Sequence, residues 1–484
     1  MVSRKIFEHA LSKPGKPAIF YGTRSITYRE LASWIAQARH FLGEQDLRPA
    51  NVAVLAVDCL VDSWVLGLAL RSLGITTVAV GSPATLNQLA MRNIGCVITT
   101  IRERPLGLTP TGTNFKLIQI PQYFYLGKAA EDVPEAPMSP AGGHVLLTSG
   151  TTGTRKKVLI DDERLAIEIK RRAEVYDISE RSIVNVFNLG TWTGAGYKAP
   201  ACAWNAGASV VIHQFPDRHE SLRVDGITHA YFTPETLANL LKTAPSDIRK
   251  SEIMRLFVGG ASLPRALAAA ARTRLSPHLY TYIGSTEAGP WALTRIASEE
   301  DLDSHCIHPT AEAQVVDEQD RPLPAGQMGV VRLRTADSVT SYLDDDAASR
   351  AVFRHGYFYS GDLGTFRADG RLTLNGRANN VINVLGNKIA VEPIELALQE
   401  RLAVDGVCVL SMRSEGTDEE FHVVIESRRP IDKAELSSSI SAQLRGVPYA
   451  RVHFFAALPR TDTGKIDRAA LRRRLLSEPS ASAV

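Results

Sequence analysis

The 484-residue sequence predicts an α/β protein with a large N-terminal domain, a small β-rich portion and a small α+β C-terminal domain. Three observations carry this. Continuous apolar strands alternate with helical segments through most of the chain, which implies largely parallel sheets covered by helices on both faces. From about residue 325 the texture changes to short strands joined by turns, as in "GYFYSGDLGTFRADGRLTLNGR". After Ala378 a strand-rich stretch and two helix–strand alternations follow, so the boundary is placed between domains 1–378 and 379–484.

Taken in order, "TYREL" opens a helix. Thr27 can cap it, and Glu30 three residues later completes a capping box. "NVAVLAV" is a buried strand, followed by a helix around Trp64–Leu73, the strand "ITTVAV", a helix from about Thr85 and the strand "CVITT". "IVNVF", "ASVVIH", "THAYF", "MRLFVGG" and "HLYTYIG" continue the alternation. "RADGRLTL" is a hairpin signal around Asp369 and Gly370. "SEPSASAV" reads as a frayed tail. No repeat of fixed period is visible.

Several function classes are disfavoured. With 44 % apolar and 22 % charged residues and a net charge of +3, the composition suits a soluble globular protein and lacks a basic footprint for nucleic acid. The run "LRRRLL" suits a solvated helix face. The N-terminus has no apolar signal core, and "SWVLGLALRSLGITTVAVG" contains Arg71 and is too short and broken to span a membrane. Five scattered cysteines suggest a reducing, cytoplasmic setting. "HCIH" at 305–308 lacks the usual zinc spacing and has no second cluster. No Gly-x-Ser-x-Gly elbow and no dinucleotide fingerprint occurs.

The stretch "LLTSGTTGTRKK" at 146–157 places hydroxyls, glycines and cations after an apolar strand, "HVLLT". Glycines let a backbone approach a ligand closely, amides and hydroxyls can ring an anion, and Lys156 adds charge. That is the chemistry of a phosphate cradle, without the Gly-x4-Gly-Lys-Ser/Thr spacing of the common nucleotide loop. An ordinary Ser/Thr/Gly-rich turn fits the same residues.

Three further stretches decide between them: "IGSTEAGP" at 283–290, "YSGDLG" at 359–364 with "NGR" at 375–377, and "LPRTDTGKIDR" at 458–468. Together with the first, and in this order, they resemble the adenylate-forming superfamily of acyl- and aryl-CoA ligases, nonribosomal adenylation domains and luciferases. The resemblance runs from "ITYREL" to "GKIDR". It implies a large N-terminal domain with a mobile C-terminal lid. It also implies a two-step reaction: a carboxylate attacks ATP to give an acyl-adenylate and pyrophosphate, and a thiol then displaces AMP.

By this resemblance Thr148, Ser149, Gly150, Thr151, Thr152, Gly153 and Lys156 hold the β- and γ-phosphates. Thr286 contacts the α-phosphate, and Glu287 holds Mg2+. A carboxylate suits that hard cation, although an acid favoured by a helix N-terminus fits Glu287 too. Gly260 and Ala261 line the adenine with Ile283. Asp362 holds the ribose, Arg377 reaches ribose or phosphates, and Gly386 faces the pantetheine thiol of CoA in a second lid orientation. Lys465 is placed between the substrate carboxylate and the α-phosphate, where one cation offsets the repulsion of two anions.

The sequence departs from the family at several positions. Ile283 stands where an aromatic residue usually stacks on adenine. Arg155 and Lys157 replace a proline and a glycine, and Asn379 and Asn383 replace an acidic hinge residue and a lysine associated with the second step. By resemblance the acid pocket is walled by Phe187, Trp192, Tyr197, His229, Gly259 and Gly284. It lacks the aspartate that pairs with an α-ammonium, so an aryl or modest-sized apolar acid is expected rather than an amino acid. The rings, Tyr231 included, equally suit a plain core, and His229 suits a satisfied core position. No carrier domain follows Val484, so a separate acceptor is expected: CoA, a carrier protein or an amine. An enzyme keeping one half-reaction, and a nucleotide-binding regulator with dead chemistry, are the alternatives. Intact Lys465, Glu287 and Asp362 speak against the regulator.

Overall fold

The computed structural model describes residues 2–22, 24–49, 51–81, 89, 91–100, 115–120, 142–148, 155–187, 189–212, 218–245, 248–384, 387–413, 419–427, 429–444, 450–461, 465–477 and 482–483. Its helices are α1 (Val2–Ser12), α2 (Tyr28–Gly43), α3 (Leu60–Ser72), α4 (Asp162–Tyr176), α5 (Gly194–Asn205), α6 (Pro234–Thr243), α7 (Arg265–Arg274), α8 (Asp346–Val352), α9 (Val391–Leu402), α10 (Lys433–Gln443) and α11 (Arg468–Ser477). The helix expected from about Thr85 lies outside the described residues.

Two large sheets dominate the first 300 residues. The eight-stranded sheet runs, edge to edge, Gly289–Arg295, His278–Ser285, Arg255–Gly259, His229–Phe232, Ile183–Asn185, Ser209–Ile212, Pro17–Tyr21 and Arg24–Thr27. Its six inner strands are parallel and both edge strands are antiparallel. The six-stranded sheet is parallel except for its edge strand Lys156–Ile160, which returns antiparallel to His144–Thr148. Alternate residues of the inner strands feed different cores. Tyr231 and Phe257 belong to the large cluster with α1–α5, and Phe232, Leu256 and Val258 to a second cluster with α6 and α7. Burial on both faces explains why these strands read as continuous apolar runs.

The capping box forms as its residues predict: the Thr27 side chain accepts from Glu30 N, and the Glu30 carboxylate accepts from Thr27 N. Every residue of α3 is buried, which is why its sequence reads as membrane-like. Its Arg71 donates to Thr77 Oγ1 at 3.0 Å and lies 5.2 Å from the centre of the Tyr197 ring. Among the described residues no helix is long and apolar enough to cross a membrane.

The strands Ala311–Val316, Met328–Thr335, Phe353–Arg354, Tyr357–Phe366 and Leu372–Arg377 form a separate sheet with its own core around Trp291. The expected hairpin joins its last two strands, with Gly370 at φ +81°. Beyond it lie a short hairpin, Val381–Val384 with Asn387–Ala390, and a four-stranded sheet packed against α9 and α10 on one face and α11 on the other.

Candidate active site

The loop 284–290 joins the two antiparallel strands at one edge of the eight-stranded sheet, next to the carboxyl ends of the parallel strands, where α/β sheets bind ligands. Its carbonyls are tied down from two helices. Lys198 of α5 donates to Thr286 O at 3.0 Å and pairs with Glu168 of α4 at 2.9 Å, both side chains being 2 % exposed. Arg171 of α4 donates to Ala288 O at 2.9 Å and to Pro290 O, while its guanidinium forks onto Asp337 at 2.5 and 3.0 Å. Gly289 is required here: its φ is +61°, and a Cβ would stand 2.5 Å from an Arg171 nitrogen. The clamp is buried and charge-paired, so the loop has little freedom.

Glu287 is buried at the tip of this loop. The Tyr342 hydroxyl donates to its Oε1 at 2.9 Å, and Val339 N donates to its carbonyl at 2.7 Å. Thr286 faces the start of α5, where a Cβ on Gly194 would lie 3.3 Å from its hydroxyl. Residues 339–345 form a strap that carries Tyr342. Leu343 N donates to Lys157 O at 2.8 Å, Asp345 accepts from Lys156 Nζ at 2.7 Å, and Asp344 stands 3.8 Å from Lys157 Nζ. Both lysines that close the Ser/Thr/Gly loop are therefore matched by acids. Thr148 ends its strand opposite Lys156; Ser149, Gly150, Thr151, Thr152 and Gly153 lie outside the described residues.

Asp362 and Arg377 are cross-strand partners, with Arg377 Nε 2.8 Å from Asp362 Oδ1. Burial raises the Asp362 carboxyl above its ordinary range, against the pull of Arg377, Ser360 and Lys465. Gly376 allows this turn, since a Cβ at its φ of +117° would meet Ala390 and Glu392 at 2.6 Å. Glu392 accepts from Arg377 N at 3.2 Å and from Asn380 Nδ2 at 2.7 Å, clasping the chain where the C-terminal region begins.

Lys465 arrives from the far end of the chain on a closed hairpin: Arg460 and Ile466 form a bridge, and Thr461 N donates to Lys465 O at 2.8 Å. Its residue keeps exposed surface, yet enough protein surrounds the ammonium for burial, then Arg377, to lower its proton affinity. Asp362 and Glu287 act in the opposite direction. Four residues distant in sequence, Glu287, Asp362, Arg377 and Lys465, are thus brought within range of one another's charge. Two cations beside two acids in this arrangement could take an anion together with a hard cation.

The family model for AMP-binding enzymes matches residues 6–343. The chain belongs to the AMP-binding enzyme family. It is 24 % identical over 504 aligned residues to enterobactin synthase component E of Escherichia coli, covering 96 % of this chain and 92 % of that protein. It spans 48 % of another, longer relative. Its fold is similar to that of o-succinylbenzoate CoA synthetase from Bacillus subtilis in complex with the acyl-adenylate intermediate, at a TM-score of 0.84 and 21 % identity over 97 % of this chain and 98 % of that one. The amide bond synthetase McbA from Marinactinospora thermotolerans is similar at a TM-score of 0.76 and 20 % identity over 98 % and 99 %.

In this AMP-binding enzyme Gly259, Gly260 and Ala261 leave the carboxyl end of their strand beside Tyr282 and Ile283. Gly259 is packed so that a Cβ would lie 2.6 Å from the Tyr282 ring, and Gly260 adopts φ +92°. Ile283 is partly buried and Gly284 exposed at the same edge. Phe187, at φ +45°, packs on Phe232 with ring centres 4.2 Å apart, and Trp192 covers Gly81 and Gly190. Two expected pocket residues are corrected. His229 starts its strand, at the end away from the crevice, and is satisfied by Thr228 Oγ1 at 2.7 Å and Tyr176 O at 2.8 Å. Tyr197 is core: it stacks on Trp64 and His144, with ring centres 5.3 and 4.1 Å away. Gly386 and the Asn383 side chain lie outside the described residues. Sequence reasoning missed Glu168, Arg171, Lys198, Asp337 and Tyr342. Only Lys198 carried a cue, as the one charge in the otherwise apolar helix α5, where a buried charge demands a partner; α4 is rich in charges and singles out none of them.

Proposed function

We propose that the protein activates a carboxylic acid, aryl or modest-sized and apolar, with ATP to form an acyl-adenylate, and then passes the acyl group to the thiol of CoA. The observation that carries this reading is the convergence of Lys465 with Glu287, Asp362 and Arg377. In the first step a carboxylate oxygen bonds to the α-phosphorus while the bond to pyrophosphate breaks. Two anions meet, and the Lys465 ammonium offsets their repulsion, most of all in the transition state. Thr286 offers a hydroxyl at the α-phosphate. Glu287, oriented by Tyr342, fits Mg2+, which when bound neutralises phosphate charge. Asp362 accepts from ribose hydroxyls, and Thr148–Lys156 takes the outer phosphates. In the second step the thiol attacks the acyl carbonyl and AMP leaves.

On this reading residues 1–378 bind ATP and acid, and residues 379–484 are a lid that carries Lys465. The lid turns between steps so that the face near Gly386 admits the thiol. A cytoplasmic setting accords with five free cysteines, four of them buried. The alternative acceptor is a carrier-protein thiol or an amine, or only one half-reaction is kept. The neutral Asn383 and the likeness to an amide bond synthetase favour this alternative. The test is acid-dependent pyrophosphate release over a panel of aryl and aliphatic acids, followed by AMP and thioester formation with and without CoA. Release with at least one acid is expected. No release with any acid contradicts the proposal, and release without CoA-dependent thioester moves the conclusion to the alternative acceptor.

A further inference from the structure

Helix α6 begins directly after the strand His229–Phe232 and carries opposite charges at its two ends, Glu235 in the first turn and Lys242 in the last. The C-terminal region meets each with its complement. Arg460 stands 3.7 Å from Glu235 and is itself held by Glu426 at 2.6 Å, and Asp405 accepts from Lys242 at 2.6 Å. The two anchors are seven residues apart, about 10 Å along the helix. A third contact comes from the neighbouring helix, where Arg265 N, at the start of α7, donates to Glu400 Oε1 at 2.8 Å.

Arg460 belongs to the hairpin that presents Lys465. The bridge from Arg460 to Ile466, the bond from Thr461 N to Lys465 O, and the bond from Asp467 N to Pro459 O at 2.8 Å make that hairpin one closed unit. Fixing Arg460 therefore fixes Lys465.

We infer that Glu235 and Arg460 are positioning residues for Lys465, and that the two ion pairs, one at each end of α6, together key the C-terminal region into the acid-activating orientation. This rests on the proposed role of Lys465. The Lys242–Asp405 pair is exposed and the half-buried Arg460–Glu235 pair is 3.7 Å apart, so each is individually weak and they bias an orientation without locking it.

The experiment measures each half-reaction separately. Glu235→Gln should lower acid-dependent pyrophosphate release about three- to fivefold, the effect of one such pair, and leave thioester formation from supplied acyl-adenylate undiminished. Lys242→Asp and Asp405→Lys should each do the same, and the double variant should restore release. Equal loss in both half-reactions, no change in either, or failure of the double variant to restore release would overturn the inference. Should wild-type protein release no pyrophosphate with any acid, the functional reading falls, and docking is read directly. Spin labels at Ile253→Cys and Phe454→Cys, in a Cys306→Ser background, should move apart in Lys242→Asp and return in the double variant. An unchanged distance would overturn the keying.

Discussion

The loop that carries Glu287 and the hairpin that carries Lys465 face each other across one crevice, but they are held in opposite ways. Beneath the loop, Arg171, Lys198, Glu168 and Asp337 are buried and paired, with the Asp337 side chain inaccessible to water. Behind the hairpin, the pair Lys242–Asp405 is open to water and the pair Arg460–Glu235 is only half-buried. A buried pair is costly to break because it leaves a charge stranded, whereas an exposed pair is worth at most about 1 kcal/mol. One side of the site is thereby fixed in place, and the other is held by contacts weak enough for the lid movement proposed above. That division suits a reaction in which the phosphate ligands are common to both steps and the lysine is wanted in one.

The largest effect should come from breaking the fixed side. Arg171→Leu strands Asp337 in the core and should cost about 3–5 kcal/mol of unfolding free energy by urea titration; an unchanged midpoint would place that clamp among ordinary surface contacts. Tyr342→Phe removes one hydrogen bond to the Glu287 carboxylate and should raise the Mg2+ concentration for half-maximal pyrophosphate release by about tenfold, the effect of one charge-assisted bond. An unaltered requirement would mean that Tyr342 does not orient Glu287.

The body's core should also register pH. Burial, the foremost cause, lowers His144 to about 3 and His229 to about 4. The unfolded chain, at about 6.5, binds protons that the folded core refuses. Stability should therefore fall as pH drops from about 6.5 toward those values, by roughly 1.4 kcal/mol per pH unit for each histidine, and His229→Gln should flatten the slope. A wild-type midpoint independent of pH across that window would contradict the assignment. The smallest effect belongs to the open side. Lys242→Ala should change thermal stability by less than about 1 kcal/mol, and added salt should erase even that.

Much of this division was legible in the sequence. The parallel sheets follow from apolar runs such as "MRLFVGG", and Thr27 and Glu30 form the capping box their spacing predicts. Glu287, Asp362 and Lys465 stand in three separate motifs, and the fold brings them within range of one another's charge. The clamp was not legible, because Arg171 and Asp337 are 166 residues apart and only the fold shows that each is the other's partner. His229 and Tyr197 were misplaced for a related reason. Residue type suits a pocket wall and a core equally, and only the end of the strand or the stacking partner tells them apart. The acids that neutralise Lys156 and Lys157 sit in a turn-like "LDDD", which nothing local ties to the Ser/Thr/Gly loop.

On the proposed mechanism the Lys465 ammonium serves the first step alone. Lys465→Ala, given ATP and an acid the wild type accepts, should release almost no pyrophosphate, yet convert supplied acyl-adenylate and thiol to product at close to the wild-type rate. Wild-type pyrophosphate release by this variant, or parallel loss of both conversions, would contradict the account.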